Sequence, residues 1–371
     1  MEWCRESSPG AVVTDVAADT VPGREGRDPM RRESHDLAYL ARMLVAPRRV
    51  VLAVDDPVTT VERRLRSVGL SSTAKDRRAY RQMLFTTPGL EERVSGVILS
   101  DEAIRQRVAK GPSFVELLTE RQIVPGIRVD LGQHRLTDSS REGVSAGVEH
   151  LAGRLEEYRR LGAWFATWRA YCLVDHGIPT ETCVRTNAVR LANFAALSQQ
   201  ADLLPIVDVR IAPGGDHDIE RGRRTMEDAL ATLVAELYVH HASVADLLVG
   251  ASLIAPNHSS MQEIDPDAVV AATLGCLREH VPGEVPGVIL AAESLPANLV
   301  ARSYEEIRRR SDLPWPLSFS LGRDAMASTL RSWARHDRDA HAAQDVLRRW
   351  ATRLATCGRD LRTTPAGVRA A

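Results

Sequence analysis

The segment RVVLAVDD, from Arg49 to Asp56, leads from β-branched and small apolar residues directly into two aspartates. Such a run is typical of a strand that is buried on both faces of a parallel sheet. Seven further short apolar runs follow along the chain. The eight predicted strands are Arg49 to Val54, Gly96 to Ser100, Gly126 to Leu131, Phe165 to Leu173, Pro205 to Ile211, Ala245 to Ser252, Gly287 to Ser294 and Pro316 to Arg323.

Segments of helical period separate these strands and continue after the last of them. Alternation of this kind between residues 34 and 357 favours a (β/α)8 TIM barrel with extra N- and C-terminal helices over an open doubly wound sheet. Functional side chains of such barrels lie at the carboxyl ends of the strands. The predicted helices are Glu62 to Ser67, Asp76 to Leu84, Glu142 to Leu161, Thr180 to Leu197, Asp218 to His240, Pro266 to Val281, Ala297 to Arg310, Ala325 to Ala334 and Ala340 to Ala355.

The two ends of the chain lack this pattern. Residues 1–33 and 358–371 mix proline, glycine and charged residues without helical or strand period. Compositions of this kind do not bury enough apolar surface to order a segment. We therefore interpret them as a flexible leader and a flexible tail on either side of one barrel domain.

The composition of the 371 residues excludes several classes of protein. A formal net charge of −1 gives no global attraction to nucleic acid or to an anionic membrane. Because no apolar run approaches the roughly 18 residues of a membrane span, we expect a cytoplasmic protein without nucleic-acid or membrane partners. The five cysteines are scattered, which suggests neither a disulfide framework nor a zinc site. We predict no metal and no cofactor.

The segment GGDHD, from Gly214 to Asp218, is the exception that invites a metal interpretation. Successive residues at the start of a helix rarely converge on one ion, whereas aspartate is a favoured N-cap. We therefore expect a helix cap here.

Five long segments resemble the class I fructose-1,6-bisphosphate aldolase family and occur in that family's order. The resemblance extends from Ser34 to Cys357 and implies a barrel that assembles as a homo-oligomer. The matching segments are RRAYRQMLFTTPGLEERVSGVILSDEAIRQ (Arg77 to Gln106), IVPGIRVDLG (Ile123 to Gly132), YRRLGAWFATWRA (Tyr158 to Ala170), GGDHDIERGR (Gly214 to Arg223) and PWPLSFSLGRDAMASTLRSWA (Pro314 to Ala334).

The resemblance implies a chemistry that this chain is not equipped to perform. The family cleaves fructose bisphosphate through a Schiff base, formed by a lysine amine at the end of the sixth strand. We match that lysine to Val249, and the family's second lysine, in the fourth strand, to Thr167. The chain contains only two lysines, Lys75 and Lys110, and neither falls at a predicted strand end.

Other family positions keep polar or charged residues. By the resemblance, Asp55 and Asp208 are candidates for proton transfer, and Asp208 is one methylene shorter than the family's glutamate. Guanidinium groups suit bidentate binding of phosphate or carboxylate, and Arg63 is a possible basic residue near a distal phosphate. The predicted anion-binding residues are Arg128, Arg169, Arg210, Gly322 and Arg323.

A phosphate cradle of the family is altered after the seventh strand. Its Ser-Gly-Gly sequence is replaced by Ala291, Ala292 and Glu293. This change removes a hydroxyl and the backbone freedom of glycine. Glu293 would repel a phosphate, pair with Arg323, or act as a new acid or base.

Two hypotheses of function remain open. The first is a repurposed enzyme, of lyase or isomerase type, that acts on a small phosphorylated or carboxylated carbonyl substrate by noncovalent acid–base chemistry. The second is a catalytically inactive pseudoenzyme that binds a sugar phosphate or a protein partner. An active fructose-bisphosphate aldolase of glycolysis is a third and weaker alternative.

Overall fold

The computed structural model describes residues 36–137, 141–257, 264–292, 295, 297–310, 313–336 and 338–356. Eight parallel strands close into a barrel in the order β1-β10-β9-β8-β7-β6-β3-β2, and two further strands form an antiparallel hairpin. The bounds are β1 Val50–Val54, β2 Val94–Leu99, β3 Val124–Arg128, β4 Gln133–Arg135, β5 Gly143–Ser145, β6 Phe165–Cys172, β7 Leu204–Ile211, β8 Leu248–Ser252, β9 Val288–Ala291 and β10 Leu317–Leu321.

The predicted (β/α)8 barrel is confirmed, and each of the eight predicted strands overlaps one barrel strand. Every residue of β1, β2 and β7 is buried, and so is all of β6 except Tyr171. Strands of an all-parallel barrel are covered on both faces, which explains why they appear in the sequence as continuous apolar runs.

Twelve α-helices surround the strands in the described part of the chain. Local capping fixes several of their starts: Thr73 and Asp76 form a capping box at α3, as Ser113 and Glu116 do at α5. The bounds are α1 Leu37–Leu44, α2 Val58–Ser67, α3 Ala74–Phe85, α4 Asp101–Ile104, α5 Phe114–Glu120, α6 Leu151–Arg160, α7 Glu181–Gln200, α8 Ile219–Val239, α9 Pro266–His280, α10 Ala297–Arg309, α11 Arg323–Arg335 and α12 Ala340–Thr356.

The prediction of one helix from Glu142 to Leu161 is wrong over its first half. Gly143–Ser145 is a strand that pairs with Gln133–Arg135, and helix α6 begins only at Leu151. Tertiary hydrogen bonds hold this segment extended, because buried Glu142 accepts from the Thr180 hydroxyl and Ser145 donates its amide to Asn187. These partners are distant in sequence, so the local period could not reveal them.

The barrel brings the carboxyl ends of its strands to one side of the molecule. Asp55 follows β1, Arg128 ends β3, and Gly322 follows β10. On the same side, α12 packs against α11 and also contacts α3 and β10. Residues that are far apart in sequence therefore meet at this end of the barrel.

Within the described residues, no helix combines the length and the apolar character that crossing a bilayer requires. The predicted leader, residues 1–33, and the predicted tail, residues 358–371, lie outside the described residues.

We predict that replacing Gly126 in β3 destabilises the barrel. A Cβ atom at Gly126 would lie 2.2 to 2.4 Å from ring atoms of the fully buried Phe165. Overpacking of this kind costs about 1–3 kcal/mol, so Gly126→Ala should lower the free energy of unfolding measured in urea by about 2 kcal/mol.

Gly153 on α6 is the matched control, because a Cβ atom at this position would have no neighbouring atom within 4 Å. Gly153→Ala should leave stability unchanged or raise it by up to about 1 kcal/mol, since alanine is the better helix former. Equal effects of the two substitutions would contradict this account of the β3–β6 contact.

Candidate functional site

A pocket of about 130 Å³ opens at the carboxyl end of the barrel. Its lining includes five arginines, which come from α2, from strands β3, β6 and β7, and from the start of α11. Three aspartates, Asp55, Asp56 and Asp324, share this lining. The lining arginines are Arg64, Arg128, Arg169, Arg210 and Arg323.

A buried ion network lies at the base of this arginine pocket. The Asp208 carboxylate accepts from Arg169 Nε at 2.9 Å and from Arg210 Nε at 2.9 Å, and Arg210 Nη2 lies 2.6 Å from it. All three side chains are about 5% exposed or less. Asp208 itself does not line the pocket, so it holds the two guanidinium groups in place from behind.

Asp208 fits here because its neighbour on β8 has no side chain. In the pairing of β7 with β8, Asp208 lies opposite Gly250. A Cβ atom at Gly250 would lie 2.6 Å from Asp208 Oδ1. Gly250 therefore leaves the space that the carboxylate occupies, a role that the sequence alone did not signal.

A second carboxylate links this network to β1 and β3. Asp55 lies 3.2 Å from Arg169 Nη2 and 3.9 Å from Arg128 Nη1. Arg128 in turn donates to both oxygens of Asp130, at 2.8 and 2.6 Å. The structure therefore brings together the predicted residues Asp55, Arg128, Arg169, Asp208 and Arg210.

The arginines keep both candidate acid–base residues ionised. Burial alone would raise the pKa of Asp208, but Arg210 and Arg169 outweigh it and the net pKa is lowered. The pKa of Asp55 is likewise lowered, because Arg169, Arg128 and Arg210 outweigh the effect of burial. Groups held in this state are strong ion-pair partners and weak proton donors near neutral pH.

Asp56 behaves differently from its neighbour Asp55. Burial raises the pKa of Asp56, although Arg64 is bound to its carboxylate and opposes the change. Asp56 lines the pocket and its side chain is 29% exposed. Asp56 is the last residue of the sequence segment LAVDD, but the family resemblance indicates a functional role only for Asp55.

Arg64, and not Arg63, is the basic residue that α2 contributes to the pocket. The expectation for Arg63 is wrong, because Arg63 is exposed and lies outside the lining. Helical geometry explains the difference, since adjacent residues point about 100° apart and the sequence did not fix the orientation of α2.

The N-terminus of helix α11 forms another part of the pocket wall. Gly322 is its N-cap residue without a side-chain cap, and Arg323 to Ala325 in its first turn line the pocket. The free amides and dipole at a helix start favour an anion. Gly322 and Arg323, two of the residues predicted to bind an anion, therefore lie together on the pocket lining.

Part of the lining is apolar, which the sequence did not predict. Its residues come from α10, α11 and α12. Its aromatic members are Tyr304, which stacks on Phe319 with ring centroids 3.9 Å apart, and the half-buried Trp350. The apolar lining residues of these helices are Val300, Tyr304, Met326, Trp350 and Leu354.

Both lysines of the chain lie away from this pocket. Lys75 on α3 and Lys110 before α5 are exposed, and neither belongs to the described lining. The family resemblance implies a position at the end of the sixth barrel strand for Val249. Val249 is instead the second residue of β8, and it lies in the hydrophobic core. Thr167 is fully buried in β6, with its hydroxyl 3.4 Å from the Ile206 carbonyl.

The altered cradle after β9 is described in part. Ala291 and Ala292 line the pocket. Glu293, for which the sequence left three roles open, lies outside the described residues.

Helix capping is confirmed for Asp218 in the GGDHD segment. Asp218 is the N-cap of α8, and its carboxylate accepts from the Arg221 amide at 2.7 Å. The neighbouring His217 ring is buried against the start of the same helix, with Nδ1 3.1 Å from the Asp218 carbonyl.

Fold and site together define a (β/α)8 barrel protein with an arginine-rich pocket at the carboxyl end of its strands. A family model described as fructose-bisphosphate aldolase class-I matches residues 36–363. The chain belongs to the class I fructose-bisphosphate aldolase family.

Individual relatives match over most of their length. A probable fructose-bisphosphate aldolase class 1 of Xanthomonas campestris pv. campestris is 36% identical over 312 residues, which cover 84% of this chain and 93% of the relative. A fructose-bisphosphate aldolase of Schistosoma mansoni is 34% identical and covers 85% of this chain and 87% of its own. The solved fructose-bisphosphate aldolase of Plasmodium falciparum superposes with a TM-score of 0.82 at 30% identity, covering 87% of this chain and 93% of that one.

We predict that Asp208→Asn strongly destabilises the protein. The substitution removes the carboxylate that lies between two buried guanidinium groups, and breaking a buried ion pair in this way costs about 3–5 kcal/mol. The matched control is Asp345→Asn, because Asp345 pairs with Arg348 at 2.8 Å on the surface with a 58% exposed side chain. The control should leave the free energy of unfolding in urea nearly unchanged, because exposed ion pairs contribute little to stability.

The pH dependence of stability tests the same network. Because the folded pKa of Asp208 lies below the ordinary value of 3.8, the unfolded chain binds more protons and stability rises with pH in that range. The contribution of Asp208 to stability is complete above the pKa that its carboxyl has in the unfolded chain. It is lost as the pH falls through the pKa of the same carboxyl in the folded protein. Asp208→Asn should therefore flatten the acid limb of the stability curve, and an unchanged limb would contradict the assignment.

Proposed function

We propose that this protein binds a small phosphorylated or carboxylated carbonyl compound in the arginine pocket and acts on it without a lysine adduct. The observation that carries the proposal is that five arginines line the pocket while both lysines lie outside it. Guanidinium groups bind anions but do not form a Schiff base with a carbonyl at neutral pH. This arrangement supports the proposed loss of the family's covalent chemistry.

The proposed role of the arginines is to hold the anionic group and to stabilise an enolate oxygen. Arg323 and the start of α11 offer charge and amides to a phosphate or carboxylate, in a position open to solvent. Arg128, Arg169 and Arg210 lie deeper and are held by Asp130, Asp55 and Asp208. Their fixed geometry suits charge that develops during a reaction.

Asp56 is the proposed proton-transfer group. Its raised pKa and its position on the lining suit general acid–base work better than the ionised Asp55 or the enclosed Asp208. It would take a proton from the carbon next to a carbonyl, and the electron pair of that C–H bond would move to the carbonyl oxygen as an enolate. An isomerase, or a lyase that eliminates a group from the carbon next to the enolate, begins with this step.

Binding without turnover is the second candidate, and the buried network favours it. Asp55 and Asp208 are committed to arginines, and a pocket held together in this way binds anions whether or not chemistry follows. The chain would then be a pseudoenzyme. An active aldolase is the third candidate, since the relatives carry that name, and it requires an amine that the described pocket lacks.

We predict that the protein binds dihydroxyacetone phosphate or fructose bisphosphate with a Kd tighter than about 1 mM, equivalent to at least about 4 kcal/mol. Arg323→Ala should weaken this binding about tenfold or more, measured by titration calorimetry. Arg331→Ala is the control, because Arg331 is exposed on the same helix and lies outside the lining. Absence of heat with either compound would exclude triose and hexose phosphates as ligands.

We further predict that the protein exchanges a carbon-bound hydrogen of bound dihydroxyacetone phosphate with deuterium from heavy water. Asp56→Asn should slow this exchange about a hundredfold or more while leaving calorimetric binding within a few-fold. Exchange that persists in Asp56→Asn would sink the role assigned to Asp56. Binding without any exchange in the parent protein would establish the pseudoenzyme alternative for this ligand.

A further inference from the structure

A group of potential metal ligands lies between two outer helices, apart from the arginine pocket. Glu227 is on α8, and Cys276 and His280 are on α9. A spacing of four residues puts Cys276 and His280 on one face of their helix, and α8 packs against α9. One ligand atom from each residue lies within 4.8 Å of the other two.

The chemistry of this donor set is that of a zinc site. Thiolate, imidazole and carboxylate are the three side-chain ligands that Zn²⁺ takes in proteins. Three protein ligands leave a fourth position for water in a tetrahedral arrangement. Cys276 is 1% exposed, whereas Glu227 and His280 are partly exposed, so an ion would reach the thiol from their side.

The His280 ring is oriented by its own helix. Its Nδ1 lies 3.0 Å from the Cys276 carbonyl. When Nδ1 carries the proton and donates it to this carbonyl, Nε2 keeps its lone pair for a metal, as metal-bound histidines commonly do. His336 and His240 make the same contact, at 2.8 and 2.9 Å. Among the histidines of the described residues, only His280 lies close enough to both a cysteine thiol and a glutamate carboxylate to share a metal ion with them.

Arg223 competes with a metal ion for the Glu227 carboxylate, but Arg223 also has a second carboxylate partner. Arg223 binds Glu227, but it also donates to Glu220 from Nε at 3.0 Å and from Nη2 at 2.7 Å. A metal ion can therefore draw Glu227 away while Arg223 keeps two hydrogen bonds to Glu220. The cost of releasing the carboxylate is correspondingly small.

Cys276 holds its proton until a cation arrives. Burial raises the pKa of this thiol to about 12, so the thiol is neutral at pH 7. Binding of a metal forms the S–metal bond, breaks the S–H bond and releases the proton to solvent.

We propose that Glu227, Cys276 and His280 form a binding site for one Zn²⁺ ion that ties α8 to α9. The site is independent of the arginine pocket and of the function proposed for it. Its effect on the protein is stabilisation, because an ion that binds only the folded state adds to the free energy of unfolding.

Zinc chloride added to chelator-treated full-length protein tests this proposal by titration calorimetry. We expect one equivalent to bind with a Kd of roughly 1 µM or tighter and to raise Tm. Cys276→Ala and His280→Gln should each weaken binding about a hundredfold. His336→Gln is the matched control, because it removes a histidine in the same helix-end geometry without the thiol and carboxylate, and it should leave binding unchanged.

Cobalt reports on the ligands directly. Addition of Co²⁺ should produce a thiolate-to-cobalt charge-transfer absorption that Cys276→Ala abolishes and Cys183→Ala retains. If Cys276→Ala misfolds, His280→Gln still tests the site. His280 is the last residue of α9 and is partly exposed, so we expect its replacement to leave the fold intact. Failure of the parent to bind one equivalent, or binding unaffected by both substitutions, would overturn the proposal.

Discussion

The buried pairing of Asp208 with Arg169 and Arg210 is the interaction on which the functional end of this barrel depends. Two guanidinium groups at the carboxyl ends of neighbouring strands would repel each other and suffer a large desolvation cost without an anion between them. Asp208 supplies that anion at 2.9 Å from Arg169 and 2.6 Å from Arg210. Gly250 on the next strand leaves the space for it. Asp55 and Asp130 extend the network to β1 and β3, so that charge ties several strand ends together.

This network sets what the pocket can do. The carboxylates that hold the arginines remain ionised, so they act as supports for the arginines. We propose Asp56, which lies on the pocket lining, as the group that transfers a proton. The arginines place positive charge on the pocket lining, to which Tyr304 and Trp350 add apolar surface. The family's barrel is retained here, and both lysines are exposed outside the arginine pocket.

Much of this could be predicted from sequence, and the limits have physical causes. The eight strands were visible because burial on both faces produces apolar runs, and strand-end residues such as Asp55, Arg128 and Arg169 met because a barrel brings those ends together. The hairpin strand Gly143–Ser145 was missed because Glu142 and Asn187 hold it through distant contacts. The sequence does not distinguish Arg63 from Arg64 as the basic residue of the pocket, because sequence alone does not fix the rotation of a helix about its axis. The proposed metal site could not be predicted from the scattered cysteines, because Glu227 and Cys276 come together only where α8 packs against α9.

The central claim is that carbonyl compounds bind here without a covalent bond to lysine. The most direct measurement is intact-protein and peptide mass spectrometry after incubation with dihydroxyacetone phosphate and borohydride, beside an aldolase that retains the family's lysine as positive control. A Schiff base would be reduced to a stable secondary amine. We expect the control to gain the adduct and this protein to gain none on Lys75 or Lys110 at ligand concentrations that saturate its pocket. A saturable, reduced adduct on either lysine would contradict the claim.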